Sequence, residues 1–154
     1  TRSERREGIL KLIIEQSLEL AEPEITIRCG LIDEPLRRLI EQVRLYSFSI
    51  TGRRGESSRV FRLEEVFYFE SVDERTYLYC EKEVYECDPK LYELERQLGN
   101  TAFVRVSKSC ILNTARLESV RALAGGRMEA KLENGESVVV NRHYLPAFKE
   151  KFGL

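Results

Sequence analysis

A chain of 154 residues can bury a real core within one domain plus a small extension, and 42% hydrophobic with 33% charged residues fits a soluble fold rather than a disordered chain. No run approaches the roughly 18 consecutive apolar residues of a membrane helix, and the amino end lacks a signal-peptide core, so the cytoplasm is the expected location. The net charge of −1 conceals an asymmetry, because residues 1–98 carry 16 basic and 21 acidic side chains whereas residues 99–154 carry 9 and 5. Arg105, Lys108, Arg116, Arg121, Arg127, Lys131 and Arg142 thus lie in the half better suited to a polyanion, although a mild local excess is also what an ordinary solvated surface carries.

Thr1 to Gly8 is charged and aperiodic and reads as a disordered end or a cloning remnant. Leu10 to Glu15 and Glu24 to Cys29 read as two short strands of one small sheet, with a turn at Glu22-Pro23 and Ile25 and Ile27 alternating against polar neighbours. Asp33 caps a helix with Pro35 in its first turn; Leu36, Leu39, Ile40 and Val43 form its apolar stripe, and Arg37, Arg38, Glu41 and Arg44 form a solvated face rather than a DNA-reading one. Tyr46 to Thr51 is extended. Gly52 to Ser58 then reads as a hinge, which separates a β-β-α-β extension over residues 9–57 from a domain over residues 58–154.

Val60 to Glu70 reads as one long central strand, followed by a hairpin of Arg75 to Cys80 with Glu83 to Cys87, where Tyr77, Tyr79 and Tyr85 pack across strands. Asp88 and Pro89 open a second helix with Leu91, Leu94 and Leu98 as its stripe, and Gly99 ends it. Phe103 to Val106 and Ser109 to Leu112 flank Ser107-Lys108, and Leu117 to Leu123 runs to a Gly125-Gly126 turn. A loop Glu133-Asn134-Gly135, with Gly135 left-handed, pairs Ala130 with Val138 and Met128 with Val140. Asn141 opens a last short helix that turns Leu145, Phe148 and Phe152 inward. The fold class is α+β, predominantly antiparallel β with short helices.

Catalytic and metal chemistry find little footing. His143 is the single histidine, no Cys/His/carboxylate cluster has ligand spacing, and neither Gly125-Gly126 nor Gly52-Arg53-Arg54-Gly55 makes a phosphate cradle. Glu64 and Glu65, adjacent on a strand, point to opposite faces and cannot share a site. Cys29, Cys80, Cys87 and Cys110 are scattered among apolar neighbours and read as reduced structural thiols. No enzyme activity, cofactor, metal or small-molecule substrate is expected.

Three stretches carry a resemblance. Leu63-Glu64-Glu65-Val66-Phe67-Tyr68-Phe69-Glu70-Ser71 and the leucine-rich helix from Leu91 to Leu98 are followed by Phe103-Val104-Arg105-Val106-Ser107-Lys108-Ser109-Cys110-Ile111-Leu112-Asn113, and then by Val140-Asn141-Arg142-His143-Tyr144. Over roughly residues 58 to 152 this resembles the LytTR DNA-binding domains of bacterial transcriptional regulators, whose motifs run Phe-x-Arg-x-His-Arg-Ser-x-x-Val-Asn and Val-Ser-Arg-x-Tyr. The resemblance implies a β-rich fold that reads successive major grooves of double-stranded DNA through loops, bound as two copies on promoter direct repeats.

Carried over residue by residue, the contacts fall on Thr76, Lys108 and Arg142, with Arg75, Ser107, Asn141 and His143 as neighbours. Arg142 has the forked geometry for a guanine edge, Lys108 suits a phosphate or a single base acceptor, and Ser107 and Thr76 can donate to phosphate oxygens. Asn141 can serve either a base or a helix cap, and Arg105 suits a supporting carboxylate pair. Ser107, Lys108 and Asn141 stand where relatives have histidine, arginine and serine, so the target sequence does not transfer. Ser-Lys-Ser resembles a branch without a receiver domain, for which a membrane-protein antagonist and a homodimer are the implied partners. The rival expectation is a protein-interaction module with little DNA affinity, which salt dependence of binding distinguishes.

Overall fold

A computed structural model describes residues 10–21 and 23–154. The chain divides into two units, one ending at Ile32 and the other running from Asp33 to Leu154. The expected disordered end, Thr1 to Gly8, lies outside the described residues, as does Glu22 of the expected turn. In the first unit the described residues form no helix or strand, and the Leu20 amide donates to the Ser17 carbonyl (3.3 Å) in a turn. The two expected strands carry no strand ladder among the described residues, which corrects the reading of a small sheet there.

The second unit begins with α1 (Glu34–Ser47), and Asp33 caps it as expected by accepting from the Leu36 amide at 3.0 Å. Its stripe is shallow: Leu36, Ile40 and Val43 are half-buried and Leu39 is exposed. Ten strands follow, β1 (Ser49–Arg54), β2 (Ser57–Arg62), β3 (Tyr68–Val72), β4 (Arg75–Tyr79), β5 (Val84–Cys87), β6 (Phe103–Ser107), β7 (Cys110–Asn113), β8 (Leu117–Leu123), β9 (Arg127–Leu132) and β10 (Ser137–Val140), with α2 (Leu91–Gln97) after β5 and α3 (Leu145–Phe152) at the end. They form an antiparallel seven-stranded sheet in the order β2-β1-β5-β4-β3-β7-β6 and a three-stranded sheet in the order β10-β9-β8.

Alternation along the strands explains the layers. On β7, Ile111 joins one core with Phe69, Leu78, Leu94 and Phe103, while Cys110 and Leu112 join a second core with Val106, Ala130, Leu132, Val140 and Phe148. Strands β3, β6 and β7 are therefore covered on both faces, by α2 on one side and by the small sheet and α3 on the other. This is why their sequences are apolar at consecutive positions. Asn113, 2% exposed, donates to the Val66 carbonyl (2.8 Å) and accepts from the Ala115 amide (3.0 Å), so its burial is compensated at the point where the chain leaves the large sheet for the small one.

Three expectations give way to tertiary structure. Gly52 to Ser58 is the tip of the β1–β2 hairpin rather than a hinge, and Gly52 is required by proximity, since a Cβ there would lie 2.7 Å from the Tyr85 Cβ. The long strand from Val60 to Glu70 is broken by a 3-10 turn over Leu63–Glu65, in which the Glu65 carboxylate accepts from the Arg62 amide (2.9 Å) while Leu63 and Val66 enter the core. The cap of α2 is Lys90 rather than Asp88, which instead accepts from Arg53 at 2.7 Å. The register of β9 with β10 is as expected, Ala130 against Val138 and Met128 against Val140, with Gly135 at φ +92°.

All four cysteines are free, Cys87 and Cys110 buried, Cys80 half-buried and Cys29 exposed, so Cys29 is no core thiol. Burial pushes the Cys87 and Cys110 thiols up to about 12. Iodoacetamide at pH 8 is expected to label Cys29 first and to spare Cys87 and Cys110 until the chain unfolds, as read by peptide mass spectrometry. Because the unfolded thiols ionise near 9.0 and the folded ones only near 12, the native state holds more protons between these values, and stability should fall as pH rises through that window. Equal labelling of all four in the native protein would contradict the burial. No helix among the described residues is long and apolar enough to cross a membrane.

Candidate nucleic-acid interface

Seven basic side chains stand out in the carboxy-terminal part of the sequence, and the fold uses most of them internally. Arg105 pairs with Glu95 (2.8 Å), Arg116 with Glu133 (3.3 Å), Arg121 with Glu129 (2.6 Å) and Lys131 with Glu118 (3.3 Å), while Arg127 donates to the Ala124 carbonyl (3.1 Å). Lys108 and Arg142 remain, both exposed and neither with a hydrogen-bond or ion-pair partner for its charged end among the described residues. A cation without an intramolecular partner has no competing carboxylate to leave when a phosphate or base arrives.

Lys108 sits in the β6–β7 turn, and Arg105 holds that turn. Its Nε donates to the Ser107 carbonyl at 2.9 Å and its Nη2 to the Lys108 carbonyl at 2.5 Å, while Nη1 reaches Glu95 on α2. Arg105 is thus the supporting residue the sequence suggested. A register shift between Arg105 and Ser107 marks a β-bulge, which re-aims the side chains that follow it. The Ser109 amide donates to Ser107 Oγ (3.2 Å), and its carbonyl accepts from the Ser71 amide (2.8 Å), which ties the turn to β3.

Arg142 lies just beyond β10. The Asn141 amide donates to the Val106 carbonyl (2.9 Å), docking this end of the chain on β6, and a 3-10 turn over Arg142–Tyr144 leads into α3. Asn141 makes no side-chain capping bond, and the residue before α3 is Tyr144, so the capping role is corrected and its side-chain amide stays available. Arg142 rests against Gly126, where a Cβ would lie 2.9 Å from the Arg142 Cδ, and Gly126 also needs its φ of +75°. The His143 and Tyr144 rings meet edge to face at 4.9 Å.

Ser107, Lys108, Asn141 and His143 come together along a groove of about 770 Å³ between the β6–β7 turn and the end of β10. Glu70 also borders it, but the carboxylate accepts from the Tyr79 hydroxyl (2.7 Å), and Tyr79 is stacked on Tyr68 at 4.2 Å. Burial raises both tyrosine pKa values, so both phenols stay neutral, and of the two Tyr68 lines the groove.

Thr76 and Arg75 lie elsewhere. Thr76 is 3% exposed between β3 and β5, because the alternation on β4 turns it inward; this corrects the expectation that its hydroxyl serves a phosphate. Arg75 is exposed and pairs with Glu86 at 3.7 Å. A second groove of about 440 Å³ beside Thr76 is bordered by Glu74, Lys90, Tyr92 and Lys108, so Lys108 touches both depressions. Lys90 and Tyr92 were not singled out in the sequence, and Gly126 was read there only as part of a turn, since nothing local links a helix start or a Gly-Gly turn to residues far along the chain.

The β3–β4 turn that borders this second groove places Asp73 and Glu74 at φ +51° and +66°. A left-handed backbone costs a side-chain-bearing residue about 1–2 kcal/mol. The double replacement Asp73→Asn, Glu74→Gly supplies the pair this turn favours and is expected to raise stability by about 1 kcal/mol in urea unfolding. It also removes two negative charges from the turn beside the groove that Lys108 borders, so DNA affinity should rise at low salt; a loss of stability would show the turn is not strained.

The unpaired cations of this β-rich domain stand in the β6–β7 turn and just beyond β10, a setting suited to a polyanion. The chain belongs to the LytTr DNA-binding domain family, whose model matches residues 56–153. It is 31% identical over 102 residues to the sensory transduction protein LytT of Enterococcus faecalis, covering 66% of this chain and 42% of that protein, and so spans less than half the length of that relative. It is 24% identical over 108 residues to a protein named as an HTH-type transcriptional regulator of Staphylococcus aureus, covering 70% of this chain and 73% of that one. The fold is similar to a solved LytTr DNA-binding domain from Bacillus cereus, with a TM-score of 0.65 and 24% identity over 69% of this chain and 97% of that one.

Proposed function

We propose that this chain is a transcription regulator that binds promoter DNA sequence-selectively, with Arg142 reading a guanine edge in the major groove and Lys108 gripping a phosphate or a single base acceptor. The observation that carries this reading is the pairing of Arg105, Arg116, Arg121 and Lys131 with carboxylates and of Arg127 with a carbonyl, while the charged ends of Lys108 and Arg142 have no such partner. Ser107, Asn141 and His143 line the same groove as Lys108 and supply neutral hydrogen-bonding partners for the backbone and bases. Arg75, outside that groove, contributes by exchanging Glu86 for a phosphate.

Two copies occupy direct repeats and bend the DNA between them. The work is done in the cytoplasm, where a membrane protein acts as antagonist. Residues 9–57 serve as an extension to the DNA-binding domain, a reading supported by a family match that begins at residue 56.

Fluorescence anisotropy on the chain's own upstream DNA and on scrambled DNA, over a range of salt concentrations, tests this. Selective binding that weakens steeply with salt supports the regulator, because neutralised phosphates release counterions. Absence of selective binding at every salt concentration shifts the function to a protein-interaction module.

A further inference from the structure

The segment before Asp33 keeps an unusual amount of apolar surface in solvent. Leu12 and Ile14 are each 77% exposed and Ile25 is 67% exposed, and Leu10, Ile13, Leu18, Leu20, Leu31 and Ile32 are exposed with them. Isolated exposed leucines are ordinary, but this many within one short stretch mark a surface that awaits a partner.

The sequence pattern says which partner. Within one chain, the hairpin register that unites Leu12 with Ile27 and Ile14 with Ile25 sets Lys11 opposite Arg28 and Glu15 opposite Glu24. Like charges directly opposed on neighbouring strands are destabilising, and the described residues here carry no ladder. Antiparallel pairing of residues 24–28 with the same residues of another copy does the reverse. About a twofold axis at Thr26, Glu24 faces Arg28 of the second copy and Ile25 faces its Ile27. Residues 11–15 have the same property about Ile13, where Lys11 faces Glu15 and Leu12 faces Ile14.

We infer that residues 11–15 and 24–28 form a dimerisation arm whose partner is a second copy of this chain, paired antiparallel through Glu24–Arg28 and Lys11–Glu15. The two self-complementary ribbons share one twofold axis, and stacking them about 10 Å apart covers Ile25 and Ile27 with Leu12 and Ile14. The residue-by-residue alternation that suggested strands is then satisfied between chains rather than within one.

The arm is independent of the DNA-binding reading and is tested without DNA, by sedimentation velocity on the full chain. The parent protein is expected to dimerise. Glu24→Arg, which opposes two arginines at both ends of the central ribbon, should weaken self-association about tenfold or more. Adding Arg28→Glu in the same chain restores opposite charges and should restore the dimer, with the urea midpoint of the Asp33–Leu154 unit unchanged throughout. A parent protein that stays monomeric, a dimer indifferent to Glu24→Arg, or a double variant as dissociated as the single one would each overturn the inference; the second result places the contact on another surface.

Discussion

Arg142→Ala is expected to weaken binding to the native operator by about 1–3 kcal/mol, roughly 5- to 150-fold, and to relax preference at one base pair. The loss is specific because a guanidinium can donate two parallel hydrogen bonds to a guanine edge, which no other side chain at this rim reproduces. Stability should change by no more than about 0.5 kcal/mol, since Arg142 is exposed and has no ion-pair partner among the described residues to lose. Lys108→Ala provides the contrast: it should weaken native and scrambled DNA alike and lower the slope of log affinity against log salt by about one. Anisotropy titrations at several salt concentrations separate the two behaviours. If both variants bind like the parent while remaining folded, these residues do not make the contacts assigned to them.

Phe148→Ala should cost about 3–5 kcal/mol, a large share of the roughly 5–15 kcal/mol that holds a domain together. Phe148 is fully buried on α3, stacks on Phe152 at 5.7 Å, and packs in the second core with Val106, Leu132 and Val140. Its removal leaves a cavity between the large sheet and the closing helix. The turn that carries Arg142 runs directly into α3, so detaching that helix also frees the arginine from its seat on Gly126. DNA affinity should therefore fall along with the urea midpoint, whereas Arg142→Ala lowers affinity alone. A destabilisation below about 1 kcal/mol would mean that α3 contributes little to the core.

Local pattern made some features legible. Asp33 before Pro35 forecast the cap of α1, and the spacing of Leu91, Leu94 and Leu98 forecast the buried stripe of α2. Asn134-Gly135 between alternating apolar residues fixed a register that leaves no other way to bury Ala130, Leu132 and Val140 on one face. Each of these depends on residues within a few positions of one another.

What sequence by itself determined, then, was the type and order of the carboxy-terminal elements and, through motif resemblance, the turns that would carry function. Tertiary structure decided which side chains remain free to act. Thr76 is drawn inside by its two neighbouring strands, Arg116 is spent on the Glu64 carbonyl and Glu133, and Val60 to Glu70 is bent because Leu63 and Val66 have a core to enter. Those outcomes turn on partners up to about fifty residues away, and a linear pattern carries no record of which cation meets which carboxylate. Lys108 and Arg142 could be named from their motifs, but that their charged ends stay free is a property of the folded surface alone.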